Sequence, residues 1–376
     1  MLAAVFTAAG YKTGLYTSPH LVSFTERIRI DGKPIPAKDV VRLTSLIKRQ
    51  VRKQKATYFE AVTAIAFKYF SDSKVDIAVV ETGLGGRLDA TNVLQPLISV
   101  ITNVSLEHTE ILGKTLEKIS WEKAGIIKHS VPCVTGITSA KPLGVVRDRA
   151  RARNARLTTT GDARLKIKAS SLDGLVIDVS IGSTTYRNLK VSLAGEHQSM
   201  NVRVALQTLE VLKEQGAYHI EERDVRNGLM NIERLAGLQA RLSVLQRKPL
   251  IIGDVAHNPD SIKRLVGSLR RLKIRNVFLV FGVVRDKDYC RMVRYLKPIT
   301  RAAILTMART ERARSIADLV QEFSRQRIDV VGTEQKVSMA VKSAIAIADK
   351  RLPILIAGSH YVLGEALSYL QSTKFT

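Results

Sequence analysis

Cysteine is nearly absent: 376 residues hold two, Cys133 and Cys290, far apart, in no C-x-x-C pattern and with no histidine at metal-ligand spacing. This excludes a disulfide-stapled fold and a cysteine-based metal site, and it predicts a reducing, cytoplasmic setting. Long apolar runs are also missing. None approaches the roughly 18–20 residues that a membrane span requires, so a soluble chain with no membrane partner is expected. The N-terminal stretch MLAAVFTAAG lacks the basic n-region and long apolar region of a secretory signal. Carboxylates are in short supply, 34 Asp and Glu against 59 Lys and Arg, which leaves a net charge of +25. With 45% hydrophobic and 25% charged residues the chain is neither collagen-like nor disordered. Its length suits two domains of about 100–200 residues each.

The charge raises every anionic partner: nucleic acid, nucleotides and acidic small molecules. Cationic runs occur at Lys48 to Lys55, Arg147 to Arg156 and Lys263 to Lys273. They lie on amphipathic or loop-like stretches without interleaved aromatics, so they read as solvated faces rather than a nucleic-acid track.

Short β-rich runs alternate with helical patterns along nearly the whole chain, the signature of parallel βαβ units. Strands are expected at 76–80, 97–101, 250–252, 277–280, 303–305 and 354–356. They are apolar nearly throughout, which predicts helices on both faces of the sheet. Phe59, Val62, Ile65, Ala66 and Phe70 recur at helical spacing, as do Val202, Ala205, Leu206 and Leu209. Leu157 to Ser192 breaks the alternation and reads as a small antiparallel excursion with turns at Gly161, Asp173-Gly174 and Gly182-Ser183. Met1 to Ala9 looks helical, with Gly10 as its stop. The seam between domains is expected around Asn231 to Gly237, dividing the chain into 1–235 and 236–376.

Ligands of open parallel sheets gather beyond the carboxyl ends of the strands. Those positions here are polar or glycine-rich: Glu81-Thr82-Gly83-Leu84-Gly85-Gly86-Arg87-Leu88-Asp89-Ala90-Thr91-Asn92, then Thr102-Asn103 with His108 beyond. In the second half they are Asp254-Val255-Ala256-His257-Asn258-Pro259, Asp286-Lys287-Asp288 and Gly358-Ser359. Glu81 and His108 suit a divalent cation if the fold joins them. Equally, Glu81 can cap the following helix while His108 packs in the core. Gly83, Gly85 and Gly86 form no dinucleotide fingerprint. Taken singly, Lys123 is a surface lysine.

Together these segments resemble the folylpolyglutamate synthase/dihydrofolate synthase family of Mur-type ligases. The match runs from Thr17-Ser18-Pro19-His20-Leu21 through Phe59-Glu60, Glu81 to Asn92, His108-Thr109 and Glu122-Lys123-Ala124-Gly125. It continues with His197-Gln198, Asn201, Asp254, Ala256-His257-Asn258-Pro259, Phe281-Gly282, Asp286-Lys287-Asp288 and Gly358-Ser359. It covers essentially the whole chain and favours the metal reading of Glu81 and His108. The fold it implies is α/β: a Mur-ligase-like parallel-sheet ATP-binding domain, N-terminally truncated and carrying the antiparallel excursion, followed by a Rossmann-like C-terminal domain.

The activity implied is ATP-dependent addition of L-glutamate to dihydropteroate or tetrahydrofolate through an acyl phosphate, with ATP, Mg²⁺ and a monovalent cation such as K⁺. By position, Ser18, Glu81 and His108 match metal ligands, and Lys123 the lysine that the family carbamylates. Ser18, Pro19, His20, Phe59 and Asp89 match the substrate side. Asn201, Arg241, Asp254 and His257 match the nucleotide side, the last two also acting when the domains close. A monomer is implied, with no nucleic-acid partner.

Three departures stand out. The Gly-Thr-Asn-Gly-Lys-Gly-Ser type P-loop that the family places before the first helix is not within these residues, and the expectation is impaired catalysis by the chain as written. Leu238-Gln239-Ala240-Arg241-Leu242-Ser243 stands where Trp-Pro-Gly-Arg-x-Glu is common. Val255 replaces a glycine, which predicts β-like backbone there. The competing readings are a cell-wall Mur-type ligase and a non-catalytic anion- or nucleic-acid-binding remnant. Retention of Ser18, Glu81, His108, Lys123 and Asp254 speaks against the remnant.

Overall fold

The second half of the chain follows the hydrophobic pattern most closely. Its six-stranded sheet runs Ser243–Arg247, Leu250–Gly253, Ile354–Ala357, Val277–Phe281, Thr300–Thr306, Val330–Glu334 across its width, parallel except for the first edge pair. Val277–Phe281 and Ile354–Ala357 are buried at every residue, as strands covered on both faces must be. Two apolar clusters flank the sheet, one around Leu279, Phe281 and Phe323, the other around Val280, Ile356 and Leu363. The computed structural model describes residues 1–216, 218–238, 240–349 and 352–373. Gln239 of the departing 238–243 segment therefore lies outside the described residues.

The helices start where side chains can accept their orphan amides. Thr57 and Glu60 form a reciprocal capping box for Tyr58–Asp72. Asn258 caps Pro259–Arg271, with proline at the first turn where no amide hydrogen is needed. Ser359 caps His360–Ser372 through the Val362 amide. The first helix spans Leu2–Ala8 and stops before Gly10, as the sequence indicates.

Strand pairing in the first half differs in detail from the sequence pattern. Ile77–Val80 pairs in parallel with Thr13–Tyr16, which also holds the antiparallel Ile28–Ile30. Ser99–Ile101, Cys133–Thr135 and Leu157–Thr159 form a separate parallel sheet. The expected cover on both faces does not hold for Ile77–Val80, where Ala78 is exposed and its neighbours are half-buried. The antiparallel excursion begins later than expected: Leu157–Thr159 joins the parallel set, and only Arg164–Ser171, Gly174–Ile181 and Thr184–Val191 form the meander. These strands alternate, so one face packs while the other stays polar, which is why their composition looked weakly apolar.

The halves meet at several places. The meander tip docks on the C-terminal unit through Leu172, which packs against its core, and through Asp173, which pairs with Arg247 at 2.6 Å. Glu196 pairs with Arg271 at 3.1 Å. Leu21 packs against the helix His360–Ser372 so closely that a Cβ on Gly364 would stand 2.0 Å from the Leu21 carbonyl oxygen. Glycine inside a helix costs about 1 kcal/mol relative to alanine. Here the contact is backbone and cannot yield cheaply. Gly364→Ala is expected to destabilise by about 1–3 kcal/mol in urea unfolding despite its better helix propensity; a neutral or stabilising result would sink this account of the contact.

Candidate active site

Parallel pairing of Thr13–Tyr16 with Ile77–Val80 brings two loops together at their carboxyl ends. The Glu81 amide donates to the Tyr16 carbonyl at 2.9 Å, and the Ser18 amide donates to Glu81 Oε2 at 3.0 Å. Glu81 is open to solvent at its tip but hemmed in by protein. Burial pushes its pKa up, against the pull of the Ser18 amide, Arg241 and Lys123. Lys123, on the first half, and Arg241, on the second, thus both reach the field of this one carboxylate.

Lys123 stands in the last turn of Leu116–Ala124, where a cation suits the helix dipole. The glycine loop leans on that helix: the Arg87 amide donates to the Glu122 carbonyl at 2.8 Å, and the Arg87 guanidinium pairs with the Glu122 carboxylate. Asn92 Nδ2 donates to both the Arg87 and Gly125 carbonyls and closes the joint. The ring of Phe59 lies against Gly83, whose Cβ would sit 2.3 Å from it, so a larger residue there would displace the ring. The Asp89 carboxylate ties this loop together. Its Oδ2 accepts from the Gly83 and Leu84 amides, and its Oδ1 from Thr91 N and Oγ1. Those four donors fill the capacity of a carboxylate.

Nearby in the chain, His20 accepts from Arg27 Nε at 2.9 Å through Nδ1, and Pro19 is exposed beside it. Burial and Arg27 keep the His20 imidazole neutral, with its proton on Nε2.

Asp254 anchors the opposite wall. Its Oδ2 accepts from the Leu242 amide at 2.7 Å and its Oδ1 from the Ala256 amide at 2.8 Å. Burial raises its pKa, countered by Arg241 and by both amides. Around Arg241 the backbone is strained: Ala240 has φ +66° and Leu242 φ +50°. Val255 keeps negative φ, as its branched side chain demands. His257 Nδ1 lies 2.9 Å from the Val255 carbonyl, which fixes the proton there and leaves Nε2 as an acceptor. Asn258 Nδ2 donates to Glu107 Oε1 at 2.7 Å across the domain boundary.

That bond draws in the loop carrying His108, which holds φ +53° at the start of Thr109–Leu112. No hydrogen bond or ion pair joins His108 to Glu81 among the described residues. Asn201 bonds Gln198 at 2.8 Å, Gln198 approaches His197, and His197 approaches Ser268. A polar chain thereby links Asn201 to the second unit.

Among the described residues no three His, Cys, Asp or Glu side chains converge as a ready-made metal cage. The donor chemistry still fits Mg²⁺. That ion keeps several waters and takes one or two carboxylates plus phosphate oxygens. Glu81 is exposed as a residue, and its carboxylate accepts from the Ser18 amide through Oε2.

One residue escaped motif reading. His360 stacks on His257 with ring centroids 4.8 Å apart, and its pKa is pushed down to about 3 by burial, then by His257, Arg241 and Lys287. Its signal was position alone: it follows Gly358-Ser359 at the end of Ile354–Ala357.

Comparison with known proteins gives a consistent picture. Residues 35–209 match the Mur ligase middle domain, and residues 240–360 the Mur ligase glutamate ligase domain. The chain is similar to the dihydrofolate synthase/folylpolyglutamate synthase of Bacillus subtilis, 32% identical over 366 residues, covering 95% of this chain and 84% of that protein. Among solved structures, folylpolyglutamate synthase from Thermotoga maritima superposes with a TM-score of 0.86 at 33% identity, covering 100% of this chain and 86% of the other. E. coli FolC in complex with DHPP and ADP does so with 0.86 at 28%, covering 99% and 85%.

Two measurements check this geometry. His360 binds its proton less readily folded, near 3, than unfolded, near 6.5. The unfolded state therefore holds more protons between those values, and stability falls as pH drops through that window. His360→Asn is expected to flatten the decline in Tm between about pH 6.5 and 5; an unchanged slope would refute a suppressed imidazole.

At Ala240, relief of left-handed strain, about 1–2 kcal/mol, nearly offsets the loss of a buried methyl and the entropy of glycine. Ala240→Gly should stay within about 1 kcal/mol of the parent, while Ala240→Val should cost more than about 2 kcal/mol in urea unfolding. Equal stability of the two variants would contradict the strained loop.

Proposed function

The chain belongs to the folylpolyglutamate synthase/dihydrofolate synthase family of Mur ligases, and we propose that it joins L-glutamate to dihydropteroate or a reduced folate with ATP as the energy source. The observation carrying this reading is the surround of Glu81: a strand-end carboxylate bonded to Ser18, with Lys123 from one half and Arg241 from the other within its field. Activation of a carboxylate as an acyl phosphate, then attack by an amine, needs neutralised charge and fixed geometry more than a covalent nucleophile.

In this reading Glu81, with Ser18 and His108, holds a divalent cation. When bound, that cation offsets the negative charge gathered between a nucleotide phosphate and the incoming carboxylate. Lys123 serves there as a carbamate, which changes a competing cation into a further oxygen ligand. Pro19, His20 and Phe59 line the acceptor side, and Asp89 holds the glycine loop under it. Arg241 and Asn201 face the nucleotide, and Asp254 sets the loop that carries Arg241. His257 is held neutral by burial and Lys287, so its Nε2 accepts a proton or hydrogen bond from a substrate amine. We divide the chain at 1–235 and 236–376, with closure bringing Asp254 and His257 to the acceptor. We also assign a cytoplasmic, monomeric enzyme, where ATP is plentiful and the free thiols Cys133 and Cys290 stay reduced. No helix among the described residues is long and apolar enough to cross a membrane.

The test is incorporation of labelled glutamate into dihydropteroate or tetrahydrofolate at saturating ATP and Mg²⁺, with acceptor binding followed in parallel. Product with either acceptor, and a fall of about 10²-fold or more in kcat for Glu81→Gln, is the expected result. Absence of both product and acceptor binding would overturn it.

A further inference from the structure

A second concentration of charge lies past the C-terminal end of Leu116–Ala124. A cavity of about 420 Å³ is walled by Arg87, Asn92, Lys128, His129, Arg149 and Arg153. None of the residues assigned above to substrate, nucleotide or metal belongs to it. Arg149 and Arg153 stand one helical turn apart at the end of Ala140–Ala152, and Arg87 arrives from the glycine loop, its guanidinium resting on the Trp121 ring at 4.6 Å. Lys128 Nζ donates to the Asn92 carbonyl.

The cations are poorly compensated. Glu122 pairs with Arg87, but among the described residues no carboxylate lies at ion-pair distance from Lys128, Arg149 or Arg153. The nearby Asp148 turns to Arg151 instead. Lys128 and Arg149 both have lowered pKa values, from burial first and then from Arg153, with Arg87 adding to the effect on Arg149. Positive groups that repel one another around a shared hollow are relieved by a counter-ion of several charges. Planar guanidinium forks are the donors that carboxylate and phosphate oxygens fit best.

We propose that this cavity is a binding site for a small multivalent oxyanion, of the phosphate or oligocarboxylate kind, separate from the cleft at Glu81. Its position gives it leverage. Arg87 and Asn92 are the residues that fasten the glycine loop to the end of the Lys123 helix, through Glu122 and Gly125. An anion held between Arg87 and Arg149 clamps that joint from behind.

The test is calorimetric titration of the full chain at low salt, first with inorganic pyrophosphate and then with a three-residue γ-glutamyl peptide lacking any pteridine. Binding of either anion should weaken about tenfold or more in Arg149→Gln/Arg153→Gln and persist in Arg241→Gln, which reports on the cleft. Whichever of the two binds identifies the source, inorganic or glutamyl. Arg153→Glu alone, at an exposed position, provides the same readout should the double variant lose its cooperative melt. No binding of either anion, binding indifferent to Arg149 and Arg153, binding lost only in Arg241→Gln, or an oligonucleotide alone binding through these arginines would each overturn the proposal.

Discussion

The Asp254 carboxylate is the point on which the C-terminal wall of the site depends. It sits at the end of a buried strand and satisfies two backbone amides, those of Leu242 and Ala256, on two different loops. Without it, both amides lose an ionised acceptor, and an unmet buried donor costs about 1–3 kcal/mol. The left-handed backbone at Ala240 and Leu242 is held by this carboxylate together with burial of both side chains in the apolar clusters. Arg241, which lies between them, owes its direction to this brace. The brace itself is stable because Arg241 returns positive charge to the carboxylate that positions it.

From Arg241 the influence spreads outward. Burial first, with the charge of Arg241 adding to it, holds His197, His257 and His360 below their ordinary pKa. Three imidazoles stay neutral around one fixed cation, so at neutral pH they present acceptors and single N–H donors rather than further charge. A site meant for nucleotide and carboxylate thus concentrates its positive charge in a few aimed groups, instead of spreading it over every basic ring.

Much of this was readable in the chain. The strands at 250–253, 277–281 and 354–357 are apolar at every position because both faces are covered, and that pattern survives any change of neighbours. Thr13–Tyr16 and Ile28–Ile30 are short and carry glycine, lysine or arginine within or beside them, so pairing geometry rather than composition makes them strands. Motif order singled out Ser18, Glu81, Lys123 and Asp254. It gave Asp89 as a carboxylate but not the four donors pointed at it. It missed His360, whose importance comes from a ring 103 positions away in number but adjacent in space. Fold followed local periodicity; the site needed knowledge of which strand ends lie side by side.

Asn258 links these layers and has a chemical consequence of its own. Its Oδ1 accepts from the Ser261 amide, which turns Nδ2 toward Glu107 and fixes which end of the amide faces which partner. Conversion of this side chain to aspartate would keep the helix cap but set two carboxylates against each other across the domain boundary. Spontaneous ageing of asparagine proceeds by attack of the next backbone nitrogen on the side-chain carbonyl carbon. The next residue is Pro259, whose nitrogen carries no hydrogen to give up. The proline that opens the helix therefore also shields this clasp from the slow chemistry that erodes exposed asparagines elsewhere.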